Sequence, residues 1–501
     1  MKIGLQRIFA RARADSRYGT VAIFMLAFLI RGLPELLSGP YPVGYDLLAG
    51  YAPSILALPA TFPLKLFGWL WSPLSVFILW VVWKISTIDL FLLLKLAGPI
   101  FYGLFVSSFY YLLSKGLGWN EKKSFFTALL FLLQPGVLRT GWDQLRLMLG
   151  FIFLFVLLAR TKCNIVSGAK ERPVTVVVLS VLIVISQQLT AILLFSVMIW
   201  QLFKVFFKER ILISRRILFV LIPSIIIFTS QLYVAYFADT GFPSNFAPIY
   251  LPSGSPFFAF TNYFLNDPRF VGESFFTIWA YVGNLSLYVV VPLTPLALKG
   301  FFKDDTLLPI LAWLLVASYS IVVFPWFSLA YYWFWVFLLP IPLTVYAGNS
   351  LDKLGAFDGK KLKLLTGFLL LGIVGFGYAT SVVSIGYPFA YTYMPPGLVS
   401  SCVDLENIPN IKEAFTWINM HFPANSVVVV PENFQGFAVM YSRSDLYMRI
   451  APPLLSFNEV VNLIEEKPNV IYAIYPTDAV EIDGIEMLSE FGRVGVFRTA
   501  I

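Results

Sequence analysis

The constraint that dominates this sequence is a succession of apolar runs, separated by short loops that carry most of the positive charge. Val21–Leu37, Ile217–Ala238 and Leu364–Ile385 each have the length, about 17–25 residues, that a helix needs to cross a bilayer. In hydrocarbon every backbone N–H and C=O must be satisfied within the segment, so apolar runs of this kind cross as helices. Of the 501 residues, 58% are hydrophobic and 13% charged, more apolar surface than one soluble domain can hide. The chain therefore reads as a polytopic α-helical membrane protein.

The net charge of +8 does not point to nucleic acid, because the basic residues sit in loops between apolar runs. Lys2, Arg7, Arg11, Arg13 and Arg17 place the N-terminal tail in the cytoplasm. Further clusters fall around Lys122/Lys123, Arg160/Lys162, Lys204/Lys208, Lys299/Lys303 and Lys360/Lys361. All of them can lie inside only if Phe67–Trp83, rich in tryptophan and interrupted by Pro73, is re-entrant or lies along the outer surface. The expected spans are then 20–38, 90–113, 124–141, 145–160, 173–188, 190–207, 216–238, 275–298, 306–324, 331–347 and 364–386, about eleven crossings. The first is expected to be a retained helix rather than a cleaved signal peptide. Two large external loops result, 39–89 and 239–274. Cys163 and Cys402 fall in different segments and indicate neither a disulfide framework nor a thiolate metal site.

After residue 386 the composition changes. Residues 387–501 hold 13 acidic and 6 basic side chains, against a basic membrane part. Helical spacing over 410–423 and 456–468 alternates with strand-like runs at 426–432, 469–476 and 493–500. The chain thus divides into a multi-span domain, 1–386, and a small extracytoplasmic α/β domain, 387–501. No internal repeat supports an inverted-repeat transporter.

Two external segments carry candidate chemistry. In "GPYPVGYDLLAGYAPSILALP" (39–59), Asp46 reads either as the N-cap of the following helix or as a working carboxylate. In "LLQPGVLRTGWDQLRLMLGF" (132–151), Arg139, Asp143, Gln144 and Arg146 read either as a snorkelling, salt-bridged group or as an anion site. Arg31 and Glu35, four residues apart, read as a local pair. Lys65 could reach a phosphate or snorkel, and Asp267 and Arg269 could belong to a loop over a substrate. His421, the single histidine, reads as a partly buried helix residue. No catalytic triad, zinc motif, P-loop or dinucleotide fingerprint is present. Acid–base chemistry would fall to carboxylates.

A basic tail, one span, a long first external loop carrying "PYPVGYD", a second aspartate in "GWDQLR" and an outer α/β domain together resemble the GT-C superfamily of polyprenyl-phosphate-sugar-dependent glycosyltransferases. That superfamily includes protein O-mannosyltransferases, aminoarabinose transferases and the catalytic subunit of oligosaccharyltransferase. The resemblance implies a GT-C-like fold and an inverting membrane glycosyltransferase. It would move a sugar from a polyprenyl-phosphate donor to a lipid or protein-glycan acceptor on the extracytoplasmic face of the cell membrane. It implies Asp46 and Asp143 as catalytic carboxylates that could also hold a divalent cation, Mg or Mn. Arg146, with Arg139 as substitute, would bind the donor phosphate. The oligosaccharyltransferase signature "WWDYG" is absent, so transfer of a whole oligosaccharide to asparagine is not expected. Residues 185–192 have glutamines where many relatives have a histidine, and 326–348 are aromatic where many have an arginine. The alternative is a non-enzymatic glycolipid transporter, or a scaffold displaying the outer domain; clustering of charge at one surface favours the enzyme.

The topology has a direct test. Cysteines introduced at Ser456 and Ser350 should label from outside and inside respectively; labelling from one side overturns it.

Overall fold

The computed structural model describes residues 16–44, 46–61, 73–165, 172–209, 215–237, 246–248, 275–323, 332–357, 359–361, 367, 407–451, 456–463, 470–480 and 484–500. The N-terminal tail before Ser16, Lys65, Asp267, Arg269 and most of the expected span 364–386 lie outside these residues. The architecture is mostly helical, with apolar helices followed by a small C-terminal sheet. Helix α1 (Ser16–Leu37) leads into the first loop, which is itself helical. A π-turn (Asp46–Tyr51) runs into α2 (Ala52–Thr61), and α3 (Pro73–Ser86) follows. Pro73 stands at the first helical position of α3, where proline is suited, and residues 67–72 of the segment expected to lie along the surface are outside the described residues. At about 1.5 Å per residue its 14 residues reach about 21 Å, less than the hydrocarbon core.

The central helices are α4 (Leu90–Tyr111), α5 (Glu121–Leu132), α6 (Pro135–Asp143) and α7 (Leu145–Arg160). Their starts are written locally. The Asp89 carboxylate accepts from the N–H groups of Phe91 and Leu92, both at 3.0 Å, and Asn120 caps α5 through the Lys123 N–H at 2.8 Å. Next come α8 (Pro173–Ser186), α9 (Gln188–Glu209), α10 (Arg215–Phe237), α11 (Phe275–Val289), α12 (Thr294–Gly300), α13 (Leu307–Val323), α14 (Tyr332–Leu338) and α15 (Pro340–Lys353).

The expected count of eleven crossings is not confirmed. Among the described residues four helices are long and apolar enough to cross, Tyr18–Leu37, Leu90–Gly116, Gln188–Phe206 and Phe334–Lys353, or up to six if each of two bent pairs is one span. The expected spans 124–141 and 275–298 are each broken where a proline sits, whereas 331–347 falls largely within the crossing-length helix Phe334–Lys353. Pro135 opens α6, and α11 and α12 meet at 62° around Pro292 and Pro295. Proline has no N–H to donate and its ring crowds the carbonyl four residues back, so the helix must restart.

The membrane core is held by close contact, since lipid supplies no hydrophobic drive between helices. Phe105 and Phe109 of α4, Phe131 of α5 and Phe155 of α7 form one aromatic stack, with ring centroids 4.0 Å apart for Phe109–Phe131 and 5.9 Å for Phe105–Phe155. Between α7 and α9 the approach is tighter still. A Cβ on Gly150 would lie 2.2 Å from the Thr190 hydroxyl oxygen. Deeper in the chain Lys123 is buried, bound to Asn349 at 2.8 Å and Asp352 at 3.1 Å, which joins α5 to α15.

Among the described residues the sheet has six strands: β1 (Phe246–Pro248), β2 (Val427–Pro431), β3 (Tyr447–Ala451), β4 (Val470–Pro476), β5 (Glu486–Phe491) and β6 (Val494–Ala500), in the order β1-β3-β2-β4-β6-β5. The first four are parallel, and β6 pairs antiparallel with β4 and β5. The uninterrupted valines of β2 suit a parallel strand buried on both faces. Helices α16 (Ile408–His421), α17 (Gln435–Tyr441) and α18 (Phe457–Leu463) accompany the sheet. Strand β1 comes from residues 246–248, so this sheet takes an edge from outside 387–501. His421 is exposed at the end of α16, stacked on Trp417 at 4.3 Å, not partly buried as its sequence context implied. Ser350 is fully buried, so the exposed Lys360 is the better inside reporter for topology labelling.

Gly150→Val should overpack the α7–α9 contact and cost about 1–3 kcal/mol. A lower Tm in detergent, partly restored by adding Thr190→Ala, is the expected result; an unchanged Tm would contradict the contact.

Candidate active site

Arg31, near the end of α1, is fully buried, and its hydrogen bonds to backbone carbonyls all go to the candidate segments. Its Nη2 lies 2.7 Å from Glu35 Oε1 and donates to the carbonyls of Trp142 at 2.8 Å and Val43 at 3.0 Å. Its Nε donates to the Gly141 carbonyl at 2.8 Å. Glu35 completes the arrangement, its Oε2 accepting the Val43 N–H at 3.0 Å. The pair expected from sequence is therefore real but not local. It fastens α1 to the loop three residues before Asp46 and to the last turn of α6, whose carbonyls form the negative end of that helix. Two glycines admit this geometry. A Cβ on Gly98 would come 3.1 Å from Arg31 Nη2, and one on Gly141 would come 2.4 Å from the Tyr102 ring. The preceding turn is held separately. Lys95 of α4 donates to Ser38 Oγ at 3.1 Å and to the Gly39 carbonyl, and Gly39 has φ +69°.

On this platform the two candidate segments meet. Asp46 opens the π-turn, half-buried, and its Oδ2 accepts from Gln144 Nε2 at 2.7 Å across 98 residues of chain. Gln144 is buried at the break between α6 and α7, which lets it face sideways rather than continue either helix. Two residues on, the Arg146 N–H donates to Tyr51 Oη at 2.9 Å, and the Arg146 guanidinium stands 5.9 Å from the Tyr51 ring centroid. Burial pushes the Tyr51 phenol up to about 12, the Arg146 charge opposing and the Asp46 charge adding to the rise. Tyr51 thus stays protonated at any physiological pH. Asp46, Gln144, Tyr51 and Arg146 form one cluster that sets a carboxylate beside a cation, the two charges a proton-accepting and anion-binding site needs.

The remaining candidates fare differently. Arg139 stands half-buried on α6, five residues before the Gln144 break. Asp143 closes α6, and its side chain lies outside the described residues. Among the described residues no three potential ligands converge as a metal site would require. Tyr51 and Arg31 as a long-range clamp were not foreseen. The only trace of Tyr51 in the sequence is an aromatic five residues after Asp46, a spacing that means adjacency only in a π-turn.

Removing the Arg31 side chain would leave Glu35 and three backbone carbonyls buried without their donor. Arg31→Ala should cost about 3–5 kcal/mol and lower Tm sharply. Arg31→Lys, keeping charge without the planar fork, should fall between. A wild-type Tm for Arg31→Ala would contradict the clamp.

No protein-family model matches the sequence, and no curated protein sequence matches it. Solved structures do. ArnT from Cupriavidus metallidurans, in a crystal structure bound to undecaprenyl phosphate, superposes with TM-score 0.50 at 12% identity over 95% of this chain and 97% of that one. The mycobacterial arabinofuranosyltransferase AftD, seen by cryo-EM, gives TM-score 0.50 at 12% identity over 95% of this chain; the alignment takes in 41% of AftD's own length. An Archaeoglobus fulgidus oligosaccharyltransferase gives TM-score 0.43 at 14% identity over 90% of this chain and 67% of that one, too loose to carry weight. ArnT and AftD are GT-C glycosyltransferases, and at 12% identity the likeness speaks to architecture: this chain has a GT-C-type fold over nearly its whole length.

Proposed function

We propose that this protein is a multi-pass membrane glycosyltransferase that moves one sugar from a polyprenyl-phosphate-linked donor to an acceptor on the extracytoplasmic face, with its N-terminus in the cytoplasm and its α/β domain, 387–501, outside. The observation that carries this reading is the Asp46 carboxylate, held by Gln144 at 2.7 Å with Arg146 across the Tyr51 ring, in a GT-C-type fold. That ArnT is bound to undecaprenyl phosphate supports a donor of the same class. The acceptor would be a lipid or protein-linked glycan.

In this mechanism Asp46 accepts the proton of the acceptor hydroxyl while that oxygen forms a bond to the anomeric carbon. The bond from the anomeric carbon to the phosphate oxygen breaks, and the lipid phosphate leaves with the electron pair. Arg146 stabilises the charge that grows on the phosphate, and Arg139 is the substitute for that role. Attack opposite the leaving group inverts the anomeric centre. Gln144 orients Asp46, and Tyr51 holds the Arg146 backbone. Asp143 would assist Asp46, and the two are the proposed holders of a divalent cation, Mg or Mn, which would supply charge stabilisation at the phosphate. A pure transporter or scaffold needs neither the paired charges nor their alignment.

Asp46→Asn removes the proton acceptor while keeping shape and capping ability. Transfer should fall by roughly a hundredfold or more with donor binding and Tm retained; near-normal transfer sinks the assignment. Arg146→Ala should weaken donor binding more than Arg146→Lys, and equal donor affinity in all three proteins removes Arg146 from the site. Excess EDTA should abolish transfer and added Mg or Mn restore it; undiminished transfer in EDTA rejects the cation.

A further inference from the structure

The outer α/β domain and the Asp46 turn share a core. Leu48, two residues after Asp46, is 4% exposed and belongs to the α/β domain's own buried cluster, which includes Phe434, Phe437 and Ala438. Helix α17, which carries Phe437 and Ala438, packs against both the π-turn and α2. The contact runs both ways. Met440 of the same helix packs against the membrane core, and Tyr41, from the loop before Asp46, packs against the outer cluster and meets Phe91 edge-on at 5.3 Å. Burial, with the charges of Tyr41 and Asp89 adding, pushes the Tyr441 phenol up to about 12, as expected for a group pressed into this junction.

Leu48 lies on a six-residue π-turn, and a turn that short has little stability of its own. Its place is set by what it packs on. On one side the Arg31 clamp holds Val43; on the other the outer domain holds Leu48, with Asp46 between the two anchors. Resting on the transferase reading above, we infer that Leu48 is a positioning residue through which the outer domain sets the Asp46 carboxylate against Gln144, so that the domain is a working part of the site.

The test uses the full-length protein with Leu48→Ala, Phe437→Ala and Leu48→Met, and two readouts. Hydrogen exchange of the amides of residues 46–51 needs no substrate. Loosening either partner should speed that exchange by about tenfold, and Leu48→Met, which keeps the volume, should restore it. In transfer assays Leu48→Ala and Phe437→Ala should lower kcat by about ten- to a hundredfold with donor KM little changed, since a misplaced base harms reaction more than binding. Should Phe437→Ala not fold, the milder Leu48→Val provides the second loosened protein. Unchanged exchange at 46–51 in both loosened proteins overturns the inference. So does faster exchange with an unaltered kcat, which would leave the transferase reading standing. A wild-type protein inactive with every polyprenyl-phosphate sugar would instead sink the transferase reading and leave the exchange result to decide whether the domain holds the turn.

Discussion

A buried guanidinium in a helix end is costly unless it is paired and hydrogen-bonded, and the candidate site depends on how Arg31 uses its Nε and Nη2 donors, its Nη1 having no hydrogen-bond partner among the described residues. Its bonds go to Glu35, Val43, Gly141 and Trp142, so the side chain that must be satisfied is the one that fastens three distant segments. Asp46 follows three residues after one anchor, and Gln144 two residues after another. The 2.7 Å contact between them is a consequence of that fastening. A lysine could carry the charge but could not make a planar fork to several carbonyls at once.

The polar chemistry is layered from there. Lys95 secures the turn at Ser38 and Gly39, the Arg31–Glu35 pair secures Val43, and Tyr51 receives the Arg146 N–H. The α/β domain packs on the π-turn through Leu48 and α17. The sheet of that domain also takes β1 from residues 246–248, so that strand and the π-turn are tied to one body. The candidate site is thus held at the junction of two cores, with the only half-buried carboxylate described there at its centre.

Much of this was legible in the sequence for clear reasons. Apolar length announces membrane helices, and the valine run of β2 announces a buried strand, because both are dictated by local composition. Asp46 and the 132–151 segment stood out because charge is expensive beside hydrocarbon and so calls for an explanation. The rest depended on contacts between residues far apart in the chain. Arg31 and Glu35 looked like an ordinary i, i+4 pair, because nothing local says that Gly141 and Trp142 arrive at the same place. Tyr51 was invisible because its adjacency to the site exists only in a π-turn. The break at Pro135 is hidden by continuous hydropathy, which reports composition over a window and not the missing hydrogen bond. Strands β1 and β5 are the sheet's short or half-exposed edges, and β3 lies between β1 and β2; their pairing partners, not their own residues, make them strands.

The central claim is that Asp46 and Arg146 face opposite ends of one bond in a bound donor. A cryo-EM structure of the Asp46→Asn protein with a polyprenyl-phosphate sugar tests it most directly. The account predicts the phosphate on the Arg146 guanidinium, and the anomeric carbon placed so that an acceptor oxygen about 3–3.5 Å from it would reach residue 46. A donor seated with its phosphate and anomeric carbon away from both residues would contradict it.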